Sequence, residues 1–99
     1  MDEISDPIIR QFREQISDND RALVEAINGR LRLVARLKEY KESRGIAFVD
    51  PTREEWILQD LVRASRGPIS QEGLREFYGA IFDLTKREVG RSESEPNGA

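Results

Sequence analysis

Arg30 interrupts an apolar helical seam, and at that interruption residue type and spacing first point to chemistry. Counting from Ile9 in steps of three and four gives Ile9, Phe12, Ile16, Asn19, Leu23, Ala26, Arg30, Leu33, Leu37 and Tyr40. A guanidinium stands where a hydrophobe is due. Lys41 follows Arg30 by eleven residues, which at about 100° per residue returns to nearly the same helix face with a rise of roughly 16 Å. The two cations can flank one ligand. Arg13 precedes Arg30 by seventeen residues, about 100° around the helix and about 25 Å away. One small anion cannot touch both within a single helix, so a functional Arg13 would serve a second chain's site.

The rest of the composition narrows the chemistry further. The 99 residues include no cysteine and no histidine, which excludes a disulfide frame, a cysteine or histidine nucleophile or base, and a zinc site of the usual ligand set. Reactive work falls to Arg, Lys, Glu and hydroxyls. The 16 basic residues are interleaved with the 19 acidic ones at a net charge of -3, which argues against a nucleic-acid or membrane-surface partner. No apolar run approaches the roughly 20 residues of a membrane span, and the N-terminus lacks a basic region followed by an apolar core. A cytoplasmic protein is expected.

The elements that must position these groups are helices. Asp6 before Pro7 supplies an N-cap and a first-turn proline, and the seam predicts helix 1 from there to about Ser43, with Gly45 as a left-handed C-terminal cap. Gly29 inside it costs about 1 kcal/mol against Ala, and its usual explanation is close approach of another backbone. Asp50-Pro51 repeats the start signal, with Glu54 and Glu55 at the positive end of the helix dipole. Helix 2 then carries Trp56, Ile57, Leu58, Leu61 and Val62 on its inner side, with Trp56 read as core. Arg66-Gly67-Pro68 closes it and Ser70 starts helix 3, which buries Leu74, Phe77, Tyr78, Ile81, Phe82 and Leu84 with Thr85 on the same seam. Residues 1–90 form one all-α domain, and 91–99 have the composition of a disordered tail. So short a chain has little interior of its own, so an oligomer is expected.

In order and at matching separations, the chain presents Phe12-Arg13-Glu14-Gln15-Ile16 with Asp20, Asn28-Gly29-Arg30-Leu31, Leu37-Lys38-Glu39-Tyr40-Lys41, Asp50-Pro51-Thr52-Arg53-Glu54 and Gly67-Pro68-Ile69-Ser70. Together these resemble the all-helical chorismate mutases, three-helix chains that form intertwined homodimers. The resemblance runs from Phe12 to about Val89. It implies that Arg30, with Arg13 from the partner chain, binds the substrate's two carboxylates, and that Arg53 assists there. Lys41 would donate to the ether oxygen of the bond that breaks. Glu54 would accept from the ring's C4 substituent, with the Asp50 backbone nearby. The implied reaction is the pericyclic conversion of chorismate to prephenate, which needs no cofactor, metal, nucleophile or proton relay. It needs a flexible dianion held in a compact conformer, and cations placed where negative charge grows.

One departure stands in helix 3, where the family places a Ser or Thr about one turn before a Gln or Glu that also bonds the ether oxygen. If Thr85 takes the hydroxyl position, Val89 falls four residues on, with Glu88 immediately before it. From Thr85 the two lie about 40° to one side and about 60° to the other, so the seam does not choose between them. A glutamate there must be protonated to donate, which favours activity at lower pH. Relatives acting on 4-amino-4-deoxychorismate, or cleaving isochorismate to salicylate and pyruvate, need similar cations. Each residue also has a plainer role: Arg30 as a structural ion pair, Lys41 as a solvated helix end, Glu54 as a dipole partner and Asp50 as a cap. The rival to an enzyme is a noncatalytic helical interaction module. An activating shikimate-pathway enzyme is a partner compatible with either.

Overall fold

The structure, a computed structural model, describes the backbone of residues 5–94 and the side chains of residues 5–90. The described residues contain three α-helices and no strand: α1 (Pro7–Ser43), α2 (Pro51–Ala64) and α3 (Gln71–Ser94). Their ends follow from local chemistry. Asp6 Oδ1 accepts from the N–H groups of Ile8 at 2.9 Å and Ile9 at 3.3 Å, satisfying donors that the first turn leaves without helical partners. At the other end Ile46 N–H reaches back to the Lys41 carbonyl at 2.8 Å and Gly45 N–H to that of Glu42 at 3.2 Å. This pair of bonds turns the chain out of the helix, and it needs the left-handed backbone that Gly45 adopts at φ 68°.

The chain divides into two compact units that meet within α1, one ending at Leu33 and the other beginning at Val34. In the N-terminal unit the apolar seam is laid bare. Phe12, Ile16, Leu23 and Leu33 are all exposed, Leu23 by 57%. The close backbone expected at Gly29 is not found here, since a Cβ added there would meet only Arg32 Nη2 at 3.9 Å. A lone helix brings no second backbone to it.

In the C-terminal unit α2 packs on α3. Asp50 caps α2 by accepting from Arg53 N–H at 3.1 Å, and Ser70 Oγ caps α3 by accepting from Gly73 N–H at 2.9 Å. Phe82, Thr85 and Val89, spaced three and four apart, form the buried stripe of α3. Tyr78 meets Phe82 edge-on with ring centroids 5.9 Å apart. Ile57, Leu58, Leu61 and Val62 of α2, like Leu74, Tyr78, Ile81 and Leu84 of α3, are half-buried.

Two residues expected in the core lie outside it. Trp56 is 49% exposed and Phe77 is exposed as well. One neighbouring helix covers only one stripe of α2, and Trp56, about 100° around from Ile57, falls off its edge. Leu37 and Tyr40 of the seam are exposed in this unit too. Helix α3 continues to Ser94, four residues beyond Gly90, because one glycine weakens a helix by about 1 kcal/mol without ending it. Residues 91–94, expected in the tail, are therefore helical, and the remainder of that tail lies outside the described residues. Among the described residues no helix is long and apolar enough to cross a membrane.

Candidate functional site

The C-terminal unit holds most of the candidate groups. Lys41, in the last turn of α1, is half-buried and its Nζ donates to the Phe48 carbonyl at 3.4 Å. The Lys38 ammonium lies 5.4 Å from the Phe48 ring centroid, so both lysines hold the connection to α2 against the end of α1. That connection delivers Asp50 and the first turn of α2. The Asp50 carboxylate is engaged as a cap by Arg53 N–H, so its position is set by α2's start. The Arg53 guanidinium stacks 4.3 Å from the Trp56 ring centroid, a cation–π contact that the exposed indole makes one turn ahead of it on α2.

Glu54 is half-buried, and its Oε2 lies 3.0 Å from Lys86 Nζ on α3. The same helix carries Thr85, only 5% exposed, whose Oγ1 donates to the Ile81 carbonyl at 2.6 Å. Val89, 3% exposed, continues the Thr85 stripe, while Glu88 beside it is half-buried.

The N-terminal unit carries the other two cations. Arg13 is exposed and lines a shallow hollow of about 490 Å³ on α1 with Arg10, Glu14, Ser17, Asp18 and Arg21. Arg30 is half-buried. The structure thus brings Glu54 to α3 and Asp50 to Arg53 within one unit, and sets Arg13 and Arg30 on the other.

Lys86 is not among the residues that the sequence singles out, although a signal for it exists. It follows the buried Phe82 by four residues and so stands as a cation beside the buried stripe of α3, much as Arg30 interrupts the apolar seam of α1. Among the described residues no cluster of acidic side chains could hold a metal ion. Guanidinium and ammonium groups are the side chains suited to binding an anion by charge and shape.

An all-helical chain with an uncovered apolar face and these cations is the class that the fold and the candidate groups define. Residues 12–89 match the family model described as chorismate mutase type II, and the chain belongs to that family. It therefore carries a type II chorismate mutase domain. A curated relative, the bifunctional chorismate mutase/prephenate dehydratase of Pseudomonas aeruginosa, is 30% identical over 79 residues, which is 75% of this chain and 22% of that protein. This chain thus spans about a fifth of that relative's length. Among solved structures, the form II chorismate mutase of Thermus thermophilus superposes with a TM-score of 0.80 at 26% identity, covering 84% of this chain and 94% of that one.

Proposed function

We propose that this chain converts chorismate to prephenate in a site shared between two copies, within an intertwined homodimer. The observation that carries the reading is the family match over residues 12–89, which encloses every candidate residue from Arg13 to Val89. The uncovered α1 seam supports the dimer: a second copy laid along it would bury Phe12, Ile16, Leu23 and Leu33. A cytoplasmic setting goes with this reading.

In this mechanism Arg30 of one copy and Arg13 of the other each grip a substrate carboxylate through a bidentate fork, with Arg53 assisting and oriented by Trp56. Holding both carboxylates confines the flexible enolpyruvyl side chain to the compact conformer in which the new C–C bond can form. As the C–O bond lengthens, negative charge grows on the ether oxygen. Lys41, a compact point charge, donates there and stabilises the transition state more than the ground state. Glu54 accepts from the C4 hydroxyl and fixes the ring. Thr85 and the Asp50 backbone border the substrate. Val89 is an aliphatic side chain with no donor, so the ether oxygen depends on Lys41 unless the half-buried Glu88 reaches it.

That missing donor is also the observation favouring a second reading, a mutase for 4-amino-4-deoxychorismate or a lyase for isochorismate. The deciding experiment is turnover of the purified protein on chorismate, 4-amino-4-deoxychorismate and isochorismate, with products identified. Prephenate from chorismate as the fastest reaction is expected. Faster reaction of either other compound would replace the substrate, and a folded protein inactive on all three would favour the noncatalytic interaction module.

A further inference from the structure

We infer that Lys86 sets the discrimination at the C4 position of the substrate, selecting a neutral hydroxyl over an ammonium by neutralising Glu54. The inference rests on the reading in which Glu54 meets the C4 substituent. Lys86 does not touch the substrate in this account and is a positioning residue acting through Glu54.

The pair joins α3 to α2 with Lys86 Nζ 3.0 Å from Glu54 Oε2, the side chains being 37% and 29% exposed. Partial burial weakens solvent screening, so the charge of Lys86 is felt at the carboxylate and close around it. A carboxylate has two oxygens and about four acceptor sites, so a lysine on Oε2 leaves capacity for a second donor. A hydroxyl can use that capacity without bringing charge. An ammonium would place two cations on one carboxylate, within a few ångströms of each other, and their repulsion opposes the attraction of each for Glu54. Without Lys86, the same carboxylate would attract an ammonium more strongly than a hydroxyl.

A purely structural role for the pair predicts something different. Arg75 Nη1 and Glu55 Oε1, 3.3 Å apart, also tie α3 to α2, one position along α2 from Glu54. That pair is more exposed, at 44% and 52%, and bears no charge toward C4 in this reading. Loss of Arg75 therefore reports what a broken interhelical tie does by itself.

The test is the ratio of kcat/KM on chorismate to kcat/KM on 4-amino-4-deoxychorismate, measured for the unmodified protein, Lys86→Met, Lys86→Arg and Arg75→Met. The unmodified protein should prefer chorismate, and Lys86→Met should shift the ratio toward the amino compound by about tenfold or more. Lys86→Arg should restore the ratio to within about threefold, and Arg75→Met should leave it within the same margin. An unchanged ratio in Lys86→Met, an equal shift in Arg75→Met, or an unmodified protein that prefers the amino compound would each overturn the inference while leaving a working mutase. Lys41→Ala separates the other failure. If that variant keeps turnover on both compounds, or the unmodified protein acts on neither, the site reading falls and the inference falls with it.

Discussion

Lys41→Ala is expected to lower kcat on chorismate by about 10²- to 10³-fold, the scale seen when one donor to developing negative charge is removed from a preorganised site. KM should change much less, because the arginine forks that hold the carboxylates remain. Lys41 is the group whose loss should be felt most if the helix 3 position beside the ether oxygen is held by the buried aliphatic Val89; with Glu88 there, the loss should be smaller. The substitution also removes the hydrogen bond from Nζ to the Phe48 carbonyl, so circular dichroism and the thermal midpoint must accompany the kinetics. Near-native helicity with unchanged kcat would remove Lys41 from the mechanism.

Leu23→Glu should abolish dimer formation at micromolar concentration and turnover with it. Leu23 sits mid-seam on α1 and is 57% exposed in the single chain, yet in the proposed dimer it is interior. The change forfeits about 1.5–3 kcal/mol of apolar burial per copy and asks each copy to bury a carboxylate, and two-fold symmetry doubles both costs. Sedimentation should show a monomer. Glu25→Gln is the control, because Glu25 lies about 200° from Leu23 around the helix and off the seam. A Leu23→Glu variant that remains dimeric and active would show that the two copies meet elsewhere.

What is legible in the sequence is mostly local. Asp6, Gly45, Asp50 and Ser70 mark helix ends because each acts on backbone groups within a few residues, and all four act in the structure as their types predict. Side-chain environments that depend on a neighbouring element are less readable. Trp56 has the composition of a core residue, but the single helix covering α2 leaves it exposed beneath the Arg53 guanidinium. Lys86 carries little signal of its own because its meaning depends on Glu54, thirty-two residues away in sequence and 3.0 Å away in space. The end of α3 differs from expectation for a simpler reason: Gly90 reads as a stop signal, and a single glycine is a weak one. For Arg13 and Arg30, helical geometry already indicates that one chain does not bring them onto a common small ligand, which agrees with the shared site that the family resemblance implies.

The measurement that tests this account most directly mixes two disabled chains. Arg13→Ala and Arg30→Ala variants, each purified and each expected to be nearly inactive alone, are unfolded together, refolded and assayed for prephenate. If one site takes Arg30 from one copy and Arg13 from the other, half of the random dimers are mixed, and each mixed dimer has one intact site and one doubly disabled site. Activity should then return to about a quarter of that of the unmodified protein. If mixing restores nothing while unmodified protein refolded in parallel regains full activity, Arg13 and Arg30 do not meet across the dimer, and the shared site is contradicted.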